Sequence, residues 1–140
     1  MENLEIEGLF GGGYRGKRVL ITGHTGFKGS WLSFWLKKMD AEVYGLALDP
    51  PSQPNHYDLL NMHIKSYIQD ICNLNKVKSI LNEANPEIIF HLAAQPLVRL
   101  SYQDPVSTYM TNIMGTVNIL EAARSLNALK AIIIITSDKC

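Results

Sequence analysis

Apolar positions follow two periods along this chain. Short, nearly continuous apolar runs occupy residues 17–22, 42–48, 87–91 and 130–136. Runs of this length without polar alternation predict strands covered on both faces of a sheet. A weaker run at 65–69 predicts a further short strand, third in chain order. Between them the apolar residues fall at helical spacing. Trp31, Leu32, Trp35, Leu36 and Met39 predict a helix over 27–39 with a wide buried face and both tryptophans in the core. Val77, Ile80 and Leu81 mark a helix capped by Asn73, running to about residue 83 and ended by Asn85-Pro86. Val106, Tyr109, Met110, Ile113, Val117, Leu120 and Ala123 mark a long helix from Pro105 to about Leu126, whose stripe reads as core or subunit contact. Residues 52–62 read as a loop with one helical turn near 57–60. Strands alternate with helices except across that loop. The fold class is therefore α/β, a doubly wound parallel sheet with right-handed crossovers in the order 3-2-1-4-5. The ligand crevice is expected between strands 1 and 4.

Composition narrows the function classes. With 140 residues the chain is long enough for one domain with a sizeable core. Thirteen basic and thirteen acidic residues cancel, so no field draws nucleic acid or a membrane surface. Residues 1–16, with Gly11-Gly12-Gly13, are expected to form a flexible leader, an extended arm outside the domain proper at 17–140. Cys72 and Cys140 lack metal-ligand spacing and read as free thiols, and no metal site is expected. There is no bilayer-length apolar run and no apolar signal region at the start, so a cytoplasmic protein is the expectation.

The stretch Val19-Leu20-Ile21-Thr22-Gly23-His24-Thr25-Gly26-Phe27-Lys28-Gly29 carries the strongest chemical signal. It reads as buried strand, glycine turn and helix start. Gly23 permits the tight turn, Gly26 lets backbone N–H groups approach a pyrophosphate, and Gly29 lets the helix pack close to the sheet. The helix N-terminus adds oriented donors and partial positive charge. Asp49 closes the second strand 20 residues beyond Gly29, where a Rossmann dinucleotide site places its ribose-binding carboxylate. Leu92-Ala93-Ala94-Gln95 follows the fourth strand, with small residues that let a ligand lie against backbone. His91 has no acidic neighbour in sequence and reads as structural.

Four blocks together resemble the extended short-chain dehydrogenase/reductase family: residues 22–29, Asp70-Ile71, residues 91–95 and residues 111–118. They span nearly all of the chain after the leader. Within that family, Gly-His-Thr-Gly-Phe-Lys-Gly-Ser-Trp-Leu, Ala-Ala-Gln-Pro-Leu-Val-Arg-Leu-Ser-Tyr and Ile-Thr-Ser-Asp-Lys-Cys are similar to the CDP-glucose branch of the sugar-nucleotide dehydratases. The resemblance implies NAD as cofactor. Gly23, Thr25, Gly26, Phe27 and Lys28 hold and flank its pyrophosphate, with Gly29 behind them. Asp49 takes the adenosine ribose, Asp70 and Ile71 meet the adenine, and Leu92, Ala93, Ala94 and Gln95 line the nicotinamide side. Asn112 ties a helix to the strand-4 region. The implied catalytic residues are Ser137, Asp138 and Lys139. Lys139 departs from the Asp–Glu pair of related dehydratases, which fits the CDP-glucose branch and argues against the dTDP-glucose branch.

The implied reaction oxidises a sugar at C4, eliminates water across C5–C6 and reduces C6. The implied substrate is CDP-glucose, and the implied assembly a homodimer built on the long helix. One departure stands out. The family's Tyr-x-x-x-Lys pair is absent, since none of the six tyrosines is followed four residues later by lysine. In the family that pair and the substrate domain lie downstream of residue 140. The chain is therefore expected to be an N-terminal piece, inactive at this length, with residues 132–135 as an association-prone edge. Two alternatives stay open: another sugar-nucleotide epimerase or dehydratase, and a stand-alone NAD-binding module.

Overall fold

Five parallel strands pair edge to edge in the order β3-β2-β1-β4-β5 in the computed structural model, which describes residues 6–136. β1 (Arg18–Thr22) sits between β2 (Glu42–Ala47) and β4 (Ile88–His91), while β3 (Lys65–Ile68) and β5 (Ala131–Ile134) pair at the flanks. The order and parallel sense are those the alternating pattern predicts. Val19, Leu20 and Ile21 are wholly buried, as befits the central strand. Strand alternation sends their side chains to opposite layers. Leu20 joins Leu46 and Ile89 under α3 (Leu74–Ala84) and α6 (Gly115–Ala123). Val19 and Ile21 join Val43 under α1 (Phe27–Lys38). α3 begins and ends as its sequence dictates. The Asn73 side chain accepts the Lys76 N–H at 3.1 Å, and Asn85 closes the helix in the left-handed region at φ 41°. The turn expected near 57–60 is α2 (His56–Leu59), capped by Asn55.

α1 buries only part of the face its apolar spacing suggests: Leu36 and Met39 are in the core and Leu32 packs against it, but neither tryptophan is. Gly29, Ser30, Ser33 and Leu36 lie against the sheet, whereas Trp31 and Trp35 are 44% and 52% exposed. Small residues win the inward face because the helix must approach the glycine turn closely, and a tryptophan there would hold it off. Trp31 instead stacks on His56 of α2, with ring centroids 4.7 Å apart.

The long helix is likewise not one regular rod. It runs as α5 (Pro105–Tyr109), one π turn (Met110–Met114) and α6, which stops at Ala123. A separate helix, α4 (Val98–Gln103), precedes it and was not expected from the sequence. Of the predicted stripe, Val106, Tyr109, Met110, Ile113, Val117 and Leu120 are exposed and only Ala123 is buried. The core side is Gly115, Asn118, Ile119, Ala122 and Ala123. Two adjacent faces of this helix are apolar, and spacing alone does not say which one the sheet takes.

The leader is not an extended arm where it is described. Residues Ile6–Gly12 form kinked 3₁₀ turns, Tyr14 packs on the Val19 layer, and the Gly16 N–H donates to the Asp40 carbonyl at 2.9 Å. No described helix is long and apolar enough to cross a membrane.

At the amino edge of the sheet, Glu87 binds three strands together. Its carboxylate accepts from Lys130 Nζ at 2.9 Å, Lys17 Nζ at 3.2 Å and the Arg18 N–H at 3.3 Å. The Lys130 contact, then the Arg18 amide, pulls its pKa from an ordinary 4.5 to about 2. A folded pKa below the unfolded one means stability present above pH 4.5 and lost as pH falls toward 2. Glu87→Gln is expected to flatten that acid limb. Urea midpoints measured across this pH range check it, and a variant whose acid limb parallels the parent's would refute it.

Candidate functional site

β1 is the point where strand order reverses, so the connections leaving β1 and β4 part company and open a crevice at their carboxyl ends. The glycine turn forms its floor. Gly23 adopts φ +76°, and a Cβ there would stand 3.0 Å from the Ala93 nitrogen. Both its conformation and its neighbour therefore require glycine. The Gly26 N–H donates to the Gly23 carbonyl at 3.1 Å, and Gly26 then caps α1 with no side-chain acceptor. The first amides of α1 thus keep donors available for an anion. Gly29 lies directly behind Gly23, where a Cβ would fall 2.1 Å from the Gly23 carbonyl oxygen. Thr25 is buried, and its hydroxyl donates to the Leu48 carbonyl at 2.9 Å, tying the turn to the exit of β2. Phe27 and Lys28 are exposed on the first turn of α1. Asp49 is exposed just past β2.

The far wall is the loop after β4. Thr22 Oγ1 accepts the N–H groups of Leu92 at 3.1 Å and Ala93 at 3.0 Å, so the two strand exits are joined at the crevice floor. Asn112, in the π turn, makes reciprocal bonds to the backbone of Gln95. Its Oδ1 accepts the Gln95 N–H at 2.8 Å and its Nδ2 donates to the Gln95 carbonyl at 3.1 Å. The tie from helix to strand-4 region is thus present, and the π turn aims the side chain at this loop. Ala94 is exposed, while Leu92, Ala93 and Gln95 are half-buried. Of the pair after β3, Asp70 is exposed, with Oδ1 accepting the Cys72 N–H at 2.8 Å. Ile71 is turned into the core and only 4% exposed. Its side chain therefore packs rather than facing the crevice.

Two residues that shape this end of the sheet escaped sequence reasoning. His24 is fully buried, its Nε2 is 2.6 Å from Ser66 Oγ, and its ring meets Tyr57 edge-on at 5.2 Å. Burial lowers its pKa to about 4, so it is neutral at pH 7. Gly45 makes the room, since a Cβ there would come within 2.4 Å of the imidazole. A glycine inside an otherwise apolar strand is the signal for such a close approach. Asn118 is the second: its Nδ2 donates to the carbonyls of Ile71 at 2.9 Å and Cys72 at 3.0 Å, pinning the loop after β3 to α6. A polar residue amid an apolar helical run was the available signal.

Ser137, Asp138 and Lys139 lie outside the described residues. The chain approaches them along β5, whose Ile134 pairs with His91 at the carboxyl edge. Among the described residues no cluster of His, Cys, Asp and Glu is arranged to hold a metal ion. The glycine floor, the uncapped helix start and the exposed carboxylate after β2 do fit a dinucleotide.

Sheet order, crevice and glycine turn define a Rossmann-type fold of the sugar-nucleotide epimerase and dehydratase kind. Residues 20–139 match the GDP-mannose 4,6 dehydratase family, and the chain belongs to it. A CDP-glucose 4,6-dehydratase from Salmonella typhimurium is 52% identical over 129 residues, covering 91% of this chain and 36% of that protein. A GDP-mannose 4,6-dehydratase from Vibrio cholerae is 32% identical, over 79% of this chain and 32% of its own length. Among solved structures, the UDP-glucose 4-epimerase of Thermus thermophilus in complex with NAD superposes with a TM-score of 0.70 at 29% identity, covering 81% of this chain and 35% of that one. The chain thus spans about a third of the length of the relatives it matches.

Proposed function

We propose that this chain forms the NAD-binding part of a dehydratase that converts CDP-glucose to CDP-4-keto-6-deoxyglucose. The observation that carries the reading is the 52% identity to a CDP-glucose 4,6-dehydratase over 91% of this chain. Gly23 and Gly26 offer a side-chain-free floor, and the first amides of α1 offer donors to the pyrophosphate. Asp49 takes the adenosine ribose hydroxyls, Asp70 and the backbone at Ile71 border the adenine, and residues 92–95 border the nicotinamide. When bound, the cofactor accepts and returns one hydride, so the sugar undergoes no net redox change. Ser137 hydrogen-bonds the C4 oxygen. Lys139 removes the C5 proton or stabilises the enolate as a cation. Asp138 protonates the departing 6-hydroxyl.

The exposed face from Val106 to Leu120 supports a homodimer, with a second copy covering it. A cytoplasmic location completes the reading. The deciding experiment is turnover of CDP-glucose by the protein at the length of its relatives. Formation of the 4-keto-6-deoxy product is expected, and no turnover of CDP-glucose beside turnover of another nucleotide sugar overturns the substrate. Cofactor choice is tested on this chain by calorimetry. Asp49 repels a 2′-phosphate, and Pro50-Pro51 supplies no cation to offset it. NAD is expected to bind at least about tenfold more tightly than NADP, a difference of roughly 1.4 kcal/mol. Tighter NADP binding refutes the role of Asp49.

A further inference from the structure

His91 is 3% exposed and has both ring nitrogens engaged. Nδ1 is 2.6 Å from Thr22 Oγ1, and Nε2 is 2.9 Å from Thr116 Oγ1. The proton positions follow from counting hydrogens. A hydroxyl has one hydrogen to give and accepts through its lone pairs. Thr22 Oγ1 accepts from the Ala93 amide and shares the Leu92 amide with the Thr22 carbonyl at 3.2 Å, and the acceptor within reach of its own hydrogen is His91 Nδ1 at 2.6 Å. At the other end, the Thr116 hydroxyl donates to the Asn112 carbonyl at 2.9 Å. Its hydrogen is spent, so His91 Nε2 must be the donor to Thr116. The two ends are satisfied together by this one tautomer.

The result is a one-way chain of bonds. It runs from the amides of the β4 exit, through Thr22 and His91, to Thr116 and the backbone of Asn112. The Asn112 side chain then returns to Gln95. Every donor in the chain has an acceptor, and a protonated imidazole would set a second hydrogen against Thr22. Burial also lowers the pKa of His91, which keeps the ring neutral.

We propose that His91 is a positioning residue: as the neutral Nε2–H tautomer it sets the spacing between the glycine turn, the loop at residues 92–95 and the π turn, and so the seat of the nicotinamide. The last clause rests on the NAD reading above; the tautomer and the loop spacing do not. The loop is held at Thr22 on one side and Asn112 on the other, and His91 is the side chain that links these two supports, directly to Thr22 and through Thr116 to the Asn112 backbone. Packing alone would be served by either tautomer, whereas this role requires one.

Nitrogen-15 correlation spectra of the imidazole groups in the full chain at pH 7 test the tautomer. His91 is expected to show a protonated Nε2 and a bare Nδ1, and a protonated Nδ1 or an imidazolium overturns the proposal. Thr116→Val removes the acceptor while keeping the shape. It is expected to speed amide exchange at Ala93 and Gln95 and to weaken NAD binding about fivefold to tenfold, with Thr116→Ser restoring both. Unchanged exchange at those two amides in Thr116→Val overturns the positioning role. Changed exchange with unchanged NAD affinity overturns the link to the nicotinamide seat. A chain that binds no NAD at all counts against the NAD reading, and the tautomer and exchange results still decide the rest.

Discussion

Gly29→Ala is expected to unfold the domain or leave it about 2–3 kcal/mol less stable, because overpacking against backbone cannot be relieved by a rotamer change. The added Cβ would lie 2.1 Å from the Gly23 carbonyl oxygen, 2.7 Å from its carbonyl carbon and 2.8 Å from His24 Cα. All three are backbone atoms of the turn. The Gly23 carbonyl also accepts the Gly26 N–H, so moving it breaks the bond that closes the turn. Helix propensity pulls the other way, since alanine within a helix is favoured over glycine by roughly 1 kcal/mol. The collision outweighs that preference, and α1 must lift from the sheet to escape it. Gly115→Ala provides the comparison. Its Cβ would meet Ile71 Cδ1 at 2.4 Å and Cγ1 at 2.8 Å, atoms of a side chain, which can shift where the backbone beside Gly29 cannot. Urea midpoints should fall far more for Gly29→Ala than for Gly115→Ala. A Gly29→Ala midpoint at or above the parent's would refute the close-packing account.

Asp138→Asn, in the protein at the length of its relatives, is expected to slow water loss about 10²–10⁴-fold, the usual contribution of a positioned general acid. Oxidation at C4 should proceed, because the change keeps the shape of the side chain and removes only its acidic proton. The reaction then stalls after its first half, and the near-ultraviolet absorbance of the reduced cofactor should build up after mixing with CDP-glucose. Stopped-flow absorbance reads this directly. Turnover equal to the parent's would remove Asp138 from the elimination step. Loss of the absorbance change together with turnover would move it to the oxidation step instead.

The order of the strands, the parallel sheet and the place of the crevice were legible along the chain, as were the helices other than α4 in outline. Each rests on local physics: apolar runs that need two covered faces, asparagine and proline at helix ends, and glycines where a turn meets a helix. The glycine turn was legible for the same reason, since Gly23 and Gly26 belong to a short local pattern, and Asp49 is nominated by its place at the end of β2. The buried face of α3 was legible too, but the faces taken by α1 and the long helix, and the choice of distant partners, needed the tertiary structure. α1 turns Gly29 and Ser33 inward and leaves Trp31 out, because the distance from helix to sheet is set by the turn it must touch. The long helix presents Ile119 rather than Ile113 to the core, one of two apolar faces, and its π turn at Met110–Met114 carries Asn112, whose side chain bonds Gln95. His24 fills the space above Gly45, and His91 joins Thr22 to Thr116 across separations of 69 and 25 residues. Periodicity reports how apolar a face is, but hydrogen bonds and close contacts depend on which distant residues the sheet brings within a few ångströms.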